Sequence, residues 1–533
     1  MVKPQVFSEE KRKKAMQFAI YDVIFSSALL SFTTTFLSAF AIYMGADSTY
    51  LALLASIPLI FWTVMQLPAA VLVEKTGKRK KINLISTLVA RLLWLPIILI
   101  PVFFISNGLF FLLLFVTLSS LIGAVASPAW TSMIGDIVPE NHRGEYFSKR
   151  NKYSVFSGIL SLIIATGILF IYPDNAFAFI LIFSFGVVAG IISCYFLSKM
   201  PEPSFSPGYI KIKDVKKAFS DSKLKKFILI FFIWHTGVNI AGPFFMLRLL
   251  KDVGASYFWV PLLAIGTAVM TILTLRLWGQ FSDKYGHRVI IIISSFFASF
   301  VPLLWIFAPS PEYILLIEMF AGFAWAGFTL AHFNYLLEIS PPDKRPVFSS
   351  LFWIVFGLGG IIGPLLGAMI AQKYAISSFL GFMGLEVVFF ASWMLRIIAV
   401  ILFILLLEEL PQKRAKHGAT YVFSEMMKFG LHSSHHTITS IKYAASYRIK
   451  KIEDSVKEKV GEKVAIASVK AKIVEIQAEK KLENISRAID EIAKDIIKGG
   501  EKVEEDLEER ERKKKEKFEY KYNRKKKRMK EKE

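Results

Sequence analysis

A single cysteine, Cys194, stands among 533 residues, and it lies inside an apolar run. No intramolecular disulfide can form, so covalent cross-links take no part in holding this chain together. No G-x-x-x-x-G-K-[ST] loop occurs, which disfavours an internal ATPase. His432, His435 and His436 cluster without an acid or a cysteine beside them, so no metal site is expected, and no cofactor either. Charge is scarce over long stretches: 18–44, 82–104, 176–198 and 380–407 carry few charged residues or none. The first of these runs is too long for a cleaved signal peptide and lacks a small-residue cleavage site, so it reads as a retained span.

What fills the gaps is apolar. Hydrophobic residues make up 54% of the chain and aromatics 14%, more than a soluble domain of this size carries. Runs of about 18 apolar residues or more are spanning-helix candidates. Cutting the chain at polar and Pro/Gly breaks gives about twelve spans, near 18–44, 50–73, 82–104, 108–134, 152–172, 176–198, 227–250, 257–281, 289–308, 313–337, 349–372 and 380–407. The net charge of +22 does not point to nucleic acid, because its placement follows alternate connections. Residues 75–81, 142–152, 199–226, 284–288 and 343–345 are basic, whereas 46–49, 105–107, 173–175 and 309–312 have no Lys or Arg. Lys251 and Lys373 alone break the alternation. The positive-inside rule then predicts a multi-pass protein of the cell membrane with both termini cytoplasmic.

The spans repeat. Gly77 in VEKTGKR and Gly286 in SDKYGHR stand 209 residues apart, as do Gly45-Ala46 and Gly254-Ala255, and Phe18 and Phe227. Pro139 and Arg143 match Pro341 and Arg345 at a spacing of 202. The expected fold is an all-α membrane protein of two pseudo-symmetric six-helix bundles. Its divisions are a cytoplasmic N-terminus (1–17), a first bundle (18–198), a Pro-, Ser- and Lys-rich cytoplasmic loop (199–226), a second bundle (227–410) and a cytoplasmic charged tail (411–533).

Two pairs of motifs carry the repeat. Between the second and third spans stand Ala70, Glu74, Gly77 and Arg79; between the eighth and ninth stand Gly279, Asp283, Gly286 and Arg288. An acid ending one span, a glycine free to take positive φ, and a cation opening the next form a clasp. Asp136 precedes Arg143 by seven residues after the fourth span, and Glu338 precedes Arg345 by seven after the tenth. The loop pair resembles the G-x-L-x-D-R-x-G-R-[RK] signature of the major facilitator superfamily, the second copy more closely than the first. The acid and arginine pair resembles the E-x6-R element of sugar porters and their relatives. The resemblance covers about residues 15–410. It implies a secondary transporter working by alternating access, with Glu74, Gly77, Arg79, Asp136, Arg143, Asp283, Gly286, Arg288, Glu338 and Arg345 as a cytoplasmic charge network that gates it. The superfamily's drug/proton antiporters usually carry Gly-Pro in the fifth span and Arg in the fourth. Both are absent here, and the pattern Gly359, Gly363-Pro364, Gly367 falls in the eleventh span, where such spacing signals close helix packing.

Ionisable groups within spans are costly and mark function by default. Asp22 in the first span, His235 and Asn239 in the seventh, and Glu318 and His332 in the tenth are the candidates for binding a solute or a coupling ion. The resemblance implies that the first, fourth, seventh and tenth spans line the cavity. His235 and Asn239 share a helix face, and a histidine can relay a proton near neutrality. Arg91, Arg276, Glu386 and Arg396 are also embedded, and for Arg91, Glu386 and Arg396 structural pairing is expected. Nothing in the sequence identifies the solute, the direction or the ion.

The tail changes character. Leu482, Ile485, Ile489, Ile492 and Ile496 are spaced three and four, a short heptad seam ended by Gly499-Gly500. Self-association or an amphipathic helix at the membrane would use it, and the run Arg524–Arg528 suits anionic lipid better than nucleic acid. Two rivals to a transporter stay open: a transporter-shaped sensor or scaffold signalling through the tail, and a membrane enzyme acting through Asp22, His235 and Glu318.

Overall fold

The computed structural model describes residues 8–104, 107–139, 143–202, 221–340 and 345–408. Twelve helices among them are long and apolar enough to cross a membrane. In chain order they are α1 (Glu9–Tyr43), α2 (Ser48–Thr76), α3 (Arg79–Phe103), α4 (Gly108–Ile137), α5 (Arg143–Ile171) and α6 (Ala176–Lys199). The second set is α7 (Ser222–Asp252), α8 (Trp259–Tyr285), α9 (His287–Ile306), α10 (Pro311–Ile339), α11 (Arg345–Lys373) and α12 (Leu385–Leu406). The described residues hold no β-strand, only an isolated bridge between Phe379 and Phe382. The tail and its heptad seam lie outside the described residues.

Polar loop residues start the helices. Asp47 caps α2 by accepting from the Tyr50 amide at 2.8 Å, Asn175 caps α6 through Phe177, and Asp221 caps α7 through Leu224, both at 2.9 Å. Prolines bend them. Pro96 cannot donate to Leu92, and α3 turns at Leu93 between Arg79–Leu92 and Trp94–Phe103. In α7 the first stretch ends at Ala241, Gly242-Pro243 makes a turn, and the helix resumes and closes on a π turn, Arg248–Asp252. α12 begins at Leu385, five residues after the apolar run suggested. Leu380, Gly381 and Gly384 have φ of +52°, +86° and +52°, so this stretch loops before the helix starts.

Each half packs within itself, α1 against α5 and α6, α2 and α3 against α4, and α7 against α11 and α12. The repeat is visible in the backbone. Gly45 and Gly254 have φ of +92° and +71°, and the Ala46 and Ala255 amides reach back to Ala41 O and Leu249 O. The small residues of α11 act as the spacing suggests. A β-carbon at Gly363 would stand 2.8 Å from Thr236 O, and one at Gly367 would collide with Ile240 O, both on α7.

The halves meet along α2 and α11. Gln372 donates to Thr49 at 2.5 Å, Ser56 donates to Ile361 O at 2.9 Å, and Gly357 faces Thr63. Ring contacts join them at the same end: Tyr257 lies 6.0 Å from Tyr43 and 5.3 Å from Phe179, and Phe258 lies 6.1 Å from Phe170. Tyr257 sits in the connection before α8, and burial pushes its phenol up to about 12, so it stays protonated.

Candidate functional site

The first signature loop folds around its glycine. Gly77 caps α2 in the left-handed conformation, φ +64°, and its amide bonds to Val73 O. That turn starts α3 at Arg79, whose guanidinium is fully buried and points to α4. Arg79 donates to Ser132 Oγ at 2.9 Å and to Asp136 Oδ2 at 2.6 Å. The acid that Arg79 meets is therefore the one opening the acid and arginine pattern. Glu74 has no ion-pair partner among the described residues, because it ends α2 on the far side of the turn. The two motifs join into one clasp, α3 to α4. Glu202, after α6, accepts from the Lys80 amide at 3.0 Å and adds a third strut.

The second copy is described by itself over Asp283–Val289. Gly286 turns with φ +88° between the end of α8 and the start of α9, and Lys284 lies 4.8 Å from the Tyr285 ring. Arg288 is the second residue of α9, and Glu338 is an exposed residue near the end of α10. Arg143 and Arg345 open α5 and α11, and their side chains lie outside the described ones.

The intramembrane candidates separate into three places. Asp22 is buried between α1 and α6, where Ser193 Oγ donates to its carboxylate. One turn away, Arg91 from α3 donates to Gly190 O at 2.5 Å and Cys194 Sγ at 3.1 Å. In the second half Glu318 accepts from Thr267 of α8 at 2.9 Å and Trp305 of α9 at 3.2 Å. Arg396 of α12 donates to Ala298 O of α9 at 2.9 Å and Val238 O of α7 at 3.4 Å. Glu386 pairs with Arg248 at 3.6 Å.

His235 and His332 come together around Phe231, at 6.2 and 5.6 Å between ring centres. His235 is buried against Phe356 of α11, ring centres 3.8 Å apart, and its Nε2 has no hydrogen-bond partner among the described residues. Its neighbour Asn239 donates back to His235 O at 2.8 Å. His332 Nδ1 lies 2.8 Å from Phe328 O, so Nδ1 carries the proton. The partners Ser193, Thr267 and Trp305 carry no sequence signal of their own, since they are ordinary span residues, whereas Arg248 is an ionisable group near the end of the seventh span and could have been singled out. No group of three or more metal-ligating side chains occurs among the described residues.

Comparisons with known proteins agree with this architecture. The chain is 29% identical over 154 residues to the uncharacterized MFS-type transporter YfkF of Bacillus subtilis, covering 28% of this chain and 38% of that protein. It is 28% identical over 97 residues to Multidrug resistance protein 3 of Bacillus subtilis, covering 18% of this chain and 19% of that protein. The aligned stretches thus span well under half the length of these relatives. Among solved structures, a point mutant of the nucleoside transporter NupG superposes with a TM-score of 0.61 at 13% identity, covering 74% of this chain and all of that one. A D-xylose-proton symporter superposes with a TM-score of 0.58 at 13% identity, covering 77% of this chain and all of that one. The sequence profile of the Major Facilitator Superfamily matches residues 23–277 and 227–444. With most of its length matched by that profile and its twelve spans superposing on solved members, the chain belongs to the Major Facilitator Superfamily.

Proposed function

We propose that this protein is a secondary transporter that moves a small solute across the membrane by alternating access, the halves α1–α6 and α7–α12 closing at one end and then the other. The observation that carries this reading is where the halves touch. Thr49, Tyr43 and Phe179 lie at the connections 46–49 and 173–175, which lack Lys and Arg, and Gln372 and Tyr257 meet them there, with Ser56 and Ile361 deeper along the same two helices. By the positive-inside rule that end is external. Arg79 and Asp136, at the basic connections, are held together within the first half. In this reading the halves part at the cytoplasmic end, and the motif residues Glu74, Gly77, Arg79, Asp136, Arg143, Asp283, Gly286, Arg288, Glu338 and Arg345 close it in the other state. Ion pairs that re-form across an interface suit a two-state gate.

Proton coupling is the finer part of the proposal. The observation behind it is that His235 Nε2 has no hydrogen-bond partner among the described residues, which leaves one ring nitrogen open to a proton or to a donor on the solute. Asp22 and Glu318 are the alternative ion sites. Neutralising the coupling residue abolishes accumulation driven by a pH gradient while leaving solute exchange, because exchange needs only the loaded carrier to reorient. Transport that follows sodium and ignores pH overturns the histidine assignment. The main reading is tested by a thermal-shift screen of a solute library, since a ligand that binds only the native state stabilises it. Counterflow of a stabilising solute in proteoliposomes is expected, and its arrest by a disulfide between Thr49→Cys and Gln372→Cys in a Cys194→Ser background. Counterflow at full rate through the cross-linked protein contradicts alternating access.

A further inference from the structure

Of Arg91, Arg276 and Arg396, Arg276 alone finds neither an ion pair nor a hydrogen bond among the described residues. Arg91 and Arg396 are buried and bonded to carbonyls of neighbouring helices. Arg276 is exposed. It stands in α8, a helix of 27 residues, four residues past the midpoint Ile272. That is about 6 Å along the axis at 1.5 Å per residue, well inside a hydrocarbon layer about 30 Å thick. A guanidinium at that depth turns to water or to another polar group, not to acyl chains.

The repeat tells which way this side of α8 faces. Arg276 and Leu67 of α2 are 209 residues apart, the spacing that relates Gly286 to Gly77 and Gly254 to Gly45. α2 presents Ser56, Leu59 and Thr63 to α11 of the other half, and Leu67 is four residues beyond Thr63 on nearly the same face. Leu67 itself is 74% exposed. The equivalent face of α8 is opposite the one it packs on α10 through Thr267, Thr271 and Trp278. Arg276 lies on it, with exposed Gln280 one turn nearer the basic connection.

We propose that Arg276 lines the cleft that opens between the halves and binds an anionic group of the solute, a carboxylate or a phosphate. The proposal deepens the transporter reading and rests on it. A planar guanidinium whose donors are not engaged by any of the described residues matches such oxyanions in a bidentate fork, and Gln280 adds a neutral donor one turn away. An anionic lipid headgroup offers the same chemistry, and lipid composition separates the two sources.

The test reads access and potential at Arg276 without requiring transport. In a Cys194→Ser background, Gln280→Cys is treated with an anionic sulfonate thiosulfonate and with a cationic trimethylammonium thiosulfonate, each rate normalised to that with a free small thiol. The anionic reagent is expected to react faster by on the order of threefold or more. Arg276→Gln removes that preference and Arg276→Lys keeps most of it, in vesicles of phosphatidylcholine alone and with added phosphatidylglycerol alike. A thiol at 280 inert to both reagents places this face in lipid and overturns the proposal. So does a preference indifferent to Arg276→Gln, or one abolished by phosphatidylglycerol, which assigns the guanidinium to headgroups. In a thermal-shift panel of carboxylates and phosphate esters against matched amides and alcohols, anions are expected to stabilise the wild type and to lose that effect in Arg276→Gln. Stabilisation by the neutral members alone, equal in both proteins, overturns it. A reactive, Arg276-dependent thiol in a protein that fails counterflow sinks the transport reading and leaves this positive cleft standing.

Discussion

Arg79 shows how a burial cost becomes a clasp. Its side chain is fully covered, and the partner that neutralises it, Asp136, ties α3 to α4. Asp136→Ala is expected to lower stability by about 1–3 kcal/mol, since a buried charge loses a charged hydrogen-bond partner. Adding Arg79→Met should recover part of the loss, because an apolar group does not need the acid. Thermal unfolding in detergent checks this; losses that simply add would mean that the two do not act as a pair. Glu408, just past α12, gives a pH-dependent contact. Lys226 donates to it at 2.9 Å and holds its carboxyl below the ordinary value near 4.5. A lowered carboxyl pKa contributes stability above the ordinary carboxylate range and loses it as pH falls through the lowered value. Wild type should therefore unfold at a higher temperature than Glu408→Gln at neutral pH, and the two should converge in acid. A difference that persists at low pH would refute the ion pair's part. At this scale the sequence displays the ionisable residue and hides its partner. Asp22 stands out in an apolar run, but Ser193, 171 residues later, is one serine among many.

Helix breaks and close contacts follow the glycines and prolines, with unequal legibility. The positive φ of Gly77 and Gly286 could be read from the loop motif, because an acid, a turn and a cation in that order need a residue tolerant of φ > 0. The late start of α12 could not, since Leu380 and Phe382 look as apolar as the span itself. Packing glycines are also invisible until the neighbour is known. A β-carbon at Gly322 of α10 would collide with Thr267 O of α8, a backbone atom that cannot step aside, while Gly167 of α5 faces open space. Gly322→Ala is expected to cost about 1–3 kcal/mol through overpacking. Gly167→Ala should be neutral or stabilising by up to about 1 kcal/mol, as alanine favours the helix. Equal melting temperatures for the two variants would contradict the α8–α10 contact.

For the whole molecule, the twelve spans and the duplication were legible because each span must satisfy its own backbone in a membrane, which forces long apolar runs. Which end the halves touch was not legible, since contacts such as Gln372 with Thr49 join residues 323 apart. Orientation is tested by single cysteines in a Cys194→Ser background. Labels at Ser48 and Asn175 should react with an impermeant reagent from outside and labels at Thr76 and Tyr285 should not; the reverse would invert the topology. The central claim is that the contact between α2 and α11 is one of two states. Spin labels at positions 49 and 372, measured by double electron–electron resonance in nanodiscs across pH and with a stabilising solute, test it most directly. Two distance populations are predicted, a short one matching the contact described and a longer one whose share changes with condition. A single short distance, unchanged under every condition in which the protein transports, would contradict alternating access about this contact.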